Sequence, residues 1–439
     1  MALNTLVEQN PEYAGSQSET DRRSMGVAIA LFFMVGFLTC LNDVIIPHLK
    51  SIFELSYAEA MLVQFAFFCS YFMLSFPSGK LVDVLGYKRT MVCGLIVMGT
   101  GALGFVPAAN LASFGVFLAA LVVLAAGMTL VQVAANPYVT IIGPPATASS
   151  RLNLVQAFNS FGTFIAPLLG ARFILRGATP LAPARLHSMS EAAQQMYRAT
   201  QASSVRIPYI GMAIVLFCVA VGLASIRLKP QLSARDVTRK FRPGTYRDAS
   251  LPLQNIFRFP WLLGGALGIF TYVGVEVTIG SLLVSFMEMP QIAGLPEARA
   301  ATFLMIYWGG AMLGRFAGAA VLKRFPTGPI LGGAGVCAFA CVLLAVTTHG
   351  HLAMAALLAV GLCNSIMFPS IFTLGLKDLG PLTSKGSSLM IAAVIGGALI
   401  PLATGKLADK IGLQPAFLLP SLCYVYIAGY GFANRLRRA

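Results

Sequence analysis

Charge is scarce in this chain. Asp, Glu, Lys and Arg together make up 11% of its 439 residues, where a soluble globular protein carries roughly 25%. So few charges cannot cover a water-facing surface of this size, which excludes a set of soluble domains. Disorder and a collagen-like repeat are excluded too, since each needs a polar or periodic chain. The four histidines are scattered, so no zinc site is visible. The eight cysteines, Cys40, Cys69, Cys93, Cys218, Cys337, Cys341, Cys363 and Cys423, form no CxxC pair and fall in apolar runs. They read as small buried hydrophobes rather than as metal ligands or disulfide partners. No Asn-x-Ser/Thr acceptor occurs, and the C-terminal Arg435-Leu436-Arg437-Arg438-Ala439 is no lipidation signal. The first 24 residues carry Glu8, Glu12, Glu19 and Asp21 and no apolar core, so no cleavable signal peptide is expected. No nucleophile–base constellation, metal cluster or phosphate loop is visible, and the glycines from Gly94 to Gly104 read as helix packing. Neither an enzyme nor a cofactor is expected.

Apolar sequence is what the chain has in abundance: 57% hydrophobic residues and a mean hydropathy of +0.77. About twelve stretches have the ~20 apolar residues a helix needs to cross the hydrocarbon. They run near 25–47, 57–80, 89–108, 112–136, 151–175, 207–226, 260–286, 299–322, 329–348, 352–376, 386–407 and 414–433. The expected fold is an all-α integral membrane protein of twelve transmembrane helices in two pseudo-symmetric six-helix halves. The expected division is a cytoplasmic tail 1–24, a first half 25–226, a basic linker 227–258, a second half 259–434 and a cytoplasmic tail 435–439. An even number of spans puts both termini on one side. With that side cytoplasmic, the 31 Lys and Arg divide 22 inside to 9 outside, as the positive-inside rule requires. The net charge of +15 is therefore read as membrane orientation and not as affinity for nucleic acid. The stretch 176–206, with Arg176, Arg185, Arg198 and Arg206, runs against the rule, which long loops obey less strictly. The eight basic residues from Arg227 to Arg258 form either a solvated linker that orients the chain or a patch for anionic lipid.

The two halves echo each other. The first span of each carries one carboxylate, Asp43 and Glu276, and this register also aligns Ile46 with Ile279. The fifth and eleventh spans share Gly162-(x)4-Pro167 and Gly396-(x)4-Pro401. The fourth and tenth share a late proline, Pro137 and Pro369. Carriers built from such repeats place their site midway through the membrane, between the repeats.

Two carboxylates stand where charge is expensive. A charged side chain at mid-membrane costs roughly 2.5–3.5 kcal/mol or more. Asp43 and Glu276 lie well inside their spans, without an obvious cationic partner, and burial of a carboxyl favours uptake of a proton. Amides accompany them: Asn42, Gln64, Gln132, Asn136, Asn153, Gln156, Asn159 and Asn364. Each suits a helix–helix hydrogen bond, and together they can line a polar cavity. Amides and carboxylates that fork across hydroxyls, with an aromatic ring under an apolar face, make a sugar site. The candidate rings are Phe37, Tyr71, Tyr272, Tyr307 and Trp308, whereas Trp261 suits an interface anchor.

The segment Gly79-Lys80-Leu81-Val82-Asp83-Val84-Leu85-Gly86-Tyr87-Lys88-Arg89 resembles the loop signature of the major facilitator superfamily. Asp83, Lys88 and Arg89 there suggest a salt bridge that latches one conformation. The second half keeps Gly314-Arg315 and Lys323-Arg324 in the corresponding loop, without the aspartate. Three further stretches, residues 41–47, 132–139 and 151–162, resemble the fucose–proton symporter family of that superfamily. Residues 272–277, 307–310 and 364–369 are similar to its glucose/galactose transporter branch.

This resemblance implies alternating access and import of a hexose-type monosaccharide by proton symport in a bacterial inner membrane. Sodium is the alternative coupling ion, and a non-transporting sugar sensor is the alternative from another class. Sugar, ion and lipid are the implied partners, in a monomer. In fucose symporters the aspartate matching Asp43 pairs with a glutamate of the fourth span, and the asparagine matching Asn159 touches sugar. Gln132 stands at the glutamate's position, and the second acid is instead Glu276. The implied coupling residues are thus Asp43 and Glu276. The implied sugar contacts are Asn42, Gln132, Asn136, Gln156, Asn159, Tyr272, Glu276, Tyr307 and Asn364.

Overall fold

The computed structural model describes residues 20–53, 57–111, 113–173, 190, 206–226 and 253–436. Within them, the side chains of residues 38–53, 57–64, 167–173, 253–255, 297, 298, 301, 381, 435 and 436 are not described. The tail up to residue 19, most of the 176–206 loop and residues 227–252 of the basic linker lie outside the described residues, and with them the expectations of lipid binding.

Among the described residues the regular structure is helix, with no strand. Helices α1 (Arg22–Phe53), α2 (Tyr57–Leu111), α3 (Phe114–Ile141), α4 (Ala148–Phe173) and α5 (Arg206–Ser225) make up a first group. The second group is α6 (Pro260–Glu288), α7 (Glu297–Arg324), α8 (Thr327–Thr347), α9 (Gly350–Asn364), α10 (Met367–Leu376), α11 (Thr383–Ala392), α12 (Gly396–Ile411), α13 (Leu413–Ala416) and α14 (Leu418–Leu436). Nine stretches of the described residues are long and apolar enough to cross a membrane. One of these lies in α2, whose 55 residues would reach ~80 Å if straight, against a hydrocarbon core of ~30 Å. It bends instead at Gly86, where φ is 79° and ψ 166°, a backbone conformation in the positive-φ region that a side chain resists. The bend makes two spans of one continuous helix. The tenth span is split into α9 and α10, and the eleventh into α11 and α12.

The residues paired in the sequence do matching work in the two groups. A Cβ at Gly162 in α4 would strike the carbonyl of Phe33 in α1, and a Cβ at Gly396 in α12 would strike the carbonyl of Phe270 in α6. Both glycines let two backbones close on each other, as tight packing in lipid requires. The two prolines free a carbonyl each, because a proline has no N–H to bond the residue four before it. For Pro137 that residue is Val133, whose carbonyl accepts the Ser387 hydroxyl at 3.0 Å from α11. For Pro369 it is Ser365, whose carbonyl accepts the Arg315 Nε–H at 3.2 Å.

The groups meet along a seam near the Gly86 bend and the α3–α4, α7–α8 and α10–α11 turns. Ser149 and Thr373 share a hydrogen bond of 2.5 Å, and Thr327 donates to Ser149 at 2.9 Å. Ser150 donates to the Ala319 carbonyl at 2.6 Å, and Ser384 donates to Asp83. Buried Arg151 braces the adjoining turn. It donates to the carbonyls of Val139, Thr140, Gly143 and Pro144 and to the Thr147 hydroxyl, at 2.7–3.2 Å. Its positive charge thereby sits at the carbonyl end of α3, the favourable end for a cation.

The cysteines depart from expectation. Cys218 and Cys337 are exposed, and Cys69, Cys93, Cys341, Cys363 and Cys423 are half-buried; all seven are free thiols. An apolar run in a membrane helix has a lipid-facing side as well as a packed one, so hydrophobic flanks do not imply burial inside the protein.

Candidate functional site

Glu276 sits in the middle of α6, and the groups around it come from α6 itself, α7 and α14. Tyr272, one turn earlier, donates its hydroxyl to Glu276 Oε1 at 2.7 Å. An Arg315 terminal nitrogen lies 3.5 Å from the same oxygen. The carboxylate is thus not isolated, and the expectation that it lacks a cationic partner is corrected. Arg315 does not belong to the loop that pairs with the Gly86 bend. Helix α7 runs unbroken to Arg324, which leaves Arg315 more than two turns inside the span and a third charge there. The pair is 13% and 15% exposed, so it is largely withdrawn from solvent yet not sealed from a proton.

Next to this pair lies a second knot. Asn364 at the end of α9 donates its amide to the Tyr307 hydroxyl of α7 at 2.9 Å and accepts the Tyr424 hydroxyl of α14 at 2.8 Å. Both tyrosines are fully buried and Asn364 is 1% exposed. Both ends of its amide are therefore spent on joining three helices. Phe368 stacks on Phe372 and lies 6.3 Å from the Tyr272 ring. Trp308, 5.1 Å from Tyr307 and edge-on to it, turns outward at 39% exposed and rests on Gly280, so it is a buttress and not a ring inside the site.

In the first group the amides form a chain. Gln132 is hydrogen-bonded with the buried Tyr71, and Asn136 donates to Gln132 Oε1 at 2.7 Å. Gln156 of α4 donates to Asn136 Oδ1 at 3.3 Å. Asn159 faces α1 and donates to the Phe32 carbonyl at 2.9 Å. Asn153 bonds its own helix at the Ser149 carbonyl. Phe37 lies 6.3 Å from Phe33 on the same helix. Asn42 and Asp43 fall in α1, but their side chains, like that of Gln64, lie outside the described residues.

Two residues absent from the sequence-based set connect these clusters. Ser160 of α4 donates its hydroxyl to the Gln156 carbonyl at 3.1 Å and accepts a hydrogen bond from Arg315. Arg315 therefore touches Glu276, the Ser365 carbonyl freed by Pro369, and the opposite group. Close by, Phe158 and Phe316 meet edge-to-face at 5.5 Å. An arginine between apolar residues in a span was the available signal for this contact.

The expected latch takes other partners. Asp83 accepts from Ser384, which lies 301 residues away in the other group. Lys88 donates to the Ala224 carbonyl at the end of α5 at 2.7 Å. Arg89 is exposed. The turn at Gly86 aims the aspartate across the seam and the lysine at a neighbouring helix end, where orphan carbonyls accept a cation.

Residues 27–390 match the Major Facilitator Superfamily. The chain belongs to that superfamily. Over 431 residues it is 44% identical to the glucose/galactose transporter of Brucella abortus biovar 1, covering 97% of this chain and 98% of that protein. It is 32% identical over 429 residues to the L-fucose-proton symporter of Escherichia coli K12, covering 97% of each. The crystal structure of the major facilitator transporter FucP in the outward conformation superposes with a TM-score of 0.86 at 30% identity, covering 93% of this chain and 98% of that one. As a major facilitator protein the chain has the twelve-helix architecture expected from its spans, and it is a transporter and not an enzyme.

Proposed function

We propose that the protein imports a hexose-type monosaccharide, of the glucose or galactose kind, together with a proton by alternating access. The observation that carries this reading is the placement of Glu276. It is an acid inside the membrane, between two tyrosine-bearing helices, and it is tied through Arg315 to the seam opposite an amide chain. Amides and tyrosine hydroxyls are the groups that recognise sugar hydroxyls, and an intramembrane acid is the group that carries a proton. The names of the relatives from Brucella and Escherichia coli support sugar as substrate and the proton as coupling ion. The membrane in this reading is the bacterial inner membrane, with both termini cytoplasmic. The hydroxyl-rich seam is then the cytoplasmic gate, closed, and the protein stands open to the outside.

Gln132 occupies the place where fucose symporters carry their second acid, so Glu276 takes over that duty from the facing wall. Tyr272, Glu276, Gln132 and Gln156 are the sugar-facing groups in this reading, joined by the amide oxygen of Asn159, whose nitrogen is held by the Phe32 carbonyl, and Asn136, Tyr307 and Asn364 hold them in place. Asp43 is the second coupling acid. The test is uptake into proteoliposomes with an imposed proton gradient, run against a panel of sugars. Concentrative uptake is expected to vanish with a protonophore, and Glu276→Gln is expected to lose accumulation while retaining sugar exchange. Uptake that ignores the protonophore but requires external sodium overturns the proton reading.

A further inference from the structure

Arg315 has more partners than a counter-ion needs. One terminal nitrogen faces Glu276, another donates across the seam to Ser160, and Nε donates to the Ser365 carbonyl. Each contact uses a different nitrogen of a planar fork whose geometry is fixed. The carbonyl of Ser365 lies in the break between α9 and α10, and Pro369, four residues on, has no N–H to bond it. Ser160 has no proton left to give, since its own goes to the Gln156 carbonyl, and it meets Arg315 as an acceptor. The guanidinium therefore spans an acid of the second group, a helix break of the second group and a hydroxyl of the first. The Phe158–Phe316 contact flanks it.

We propose that Arg315 is a positioning residue that transmits the charge state of Glu276 to the seam between the halves, through Ser160. While Glu276 is a carboxylate, it holds the guanidinium where Ser160 and the Ser365 carbonyl can both accept from it, and the gate stays shut. When Glu276 takes up a proton, the guanidinium loses its ionic partner. Water then competes for it, and the bond to Ser160 no longer closes the gate. The groups that face Glu276 are Tyr272 on its own helix, Arg315 and Tyr307 on α7, and Tyr424 on α14. Of these only Arg315 is a cation and only Arg315 reaches the other group. This inference rests on Glu276 being the proton site and adds the route by which its proton is felt at the gate.

The experiment is a double-mutant cycle read by amide hydrogen exchange of the full-length transporter in lipid nanodiscs, at one pH and without sugar. The segments followed are residues 148–160 of α4 and 367–392 of α10 and α11, which line the seam. Glu276→Gln, which mimics the protonated acid, and Ser160→Ala are each expected to raise exchange there about tenfold, the low end of the effect of losing a hydrogen bond to a charged group. The double variant is expected to exceed the larger single effect by less than twofold, because both changes cut one chain of contacts. Arg315→Lys keeps the charge but loses the fork, and is expected to behave like Ser160→Ala. Effects that multiply to about a hundredfold overturn the proposal, as does wild-type protection in either single variant. Concentrative uptake by Glu276→Gln is measured separately. Full accumulation there refutes the proton reading, whereas a non-additive exchange cycle would still establish the Glu276–Arg315–Ser160 link.

Discussion

Replacing Asn364 with leucine tests whether this amide holds the site together. Leucine has the branching and heavy-atom count of asparagine and no polar atom, though it is bulkier. Its side chain cannot give the Tyr307 hydroxyl a donor or take the proton of Tyr424, bonds that now stand at 2.9 and 2.8 Å. Hydrogen bonds between membrane helices contribute on average ~0.6 kcal/mol each, so the two lost bonds account for about 1 kcal/mol. The larger effect is the stranding of two tyrosine hydroxyls that are fully buried. Leaving a buried polar group unpaired costs ~1–3 kcal/mol. Because Tyr307 can still turn its own proton toward another acceptor, the expected total is about 2–4 kcal/mol. Equilibrium unfolding in mixed micelles measures it, with Trp308 beside Tyr307 as the fluorescent reporter. Removing all the polar partners together, in Asn364→Leu with Tyr307→Phe and Tyr424→Phe, is expected to recover all but about 1 kcal/mol, since replacing both ends of a hydrogen bond is close to neutral. A triple variant as unstable as Asn364→Leu alone refutes the reasoning, as does a single variant within ~0.5 kcal/mol of the wild type.

Ser387→Ala removes the donor that satisfies the Val133 carbonyl freed by Pro137. It is expected to disfavour the gate-shut state by about 1 kcal/mol, or roughly fivefold, seen as weaker binding of sugar presented from the outside. Gly396→Val drives a side chain into the Phe270 carbonyl and is expected to cost at least ~1–3 kcal/mol, whereas Gly405→Ala, with open space around its Cβ, is expected to be silent in the same thermal melt. Arg151→Gln strips most of the five bonds beneath the α3–α4 turn and is expected to lower stability by about 3 kcal/mol. Arg151→Lys restores little of it, because an ammonium cannot fork across several carbonyls.

The parts of this structure legible in the sequence were those set by local rules. Span length gave the architecture, and the paired prolines and glycines marked positions where backbones come free or come close. Glu276 stood out because a charge within a span is costly. Arg315 obeys the same rule, but its neighbours Lys323 and Arg324 drew it into a basic helix end. Only the unbroken course of α7 shows how deep it lies. The partner of Asp83 was illegible for a different reason. No local pattern links residues 301 positions apart, and the Asp-x-x-Gly turn points equally well at its own loop. Tyr424 escaped notice because a tyrosine within an apolar span suits ordinary helix packing, while its hydroxyl in fact ends in the core of the second group.

The seam has an electrical consequence. Apart from Asp83, the side chains named in it are the hydroxyls of Ser149, Ser150, Thr327, Thr373, Ser384 and Ser387. Moving a full charge through the membrane field takes ~2.3 kcal/mol per 100 mV, while parting neutral hydroxyls takes no such work. Water entering the opened gate can replace each of their bonds nearly one for one. The hydroxyl part of this closure is therefore almost independent of membrane potential, while the bonds of Asp83 to Ser384 and of Arg315 to Ser160 carry charge. Among the described residues, voltage dependence of this closure is expected at its charges, Asp83, Arg315 and Glu276.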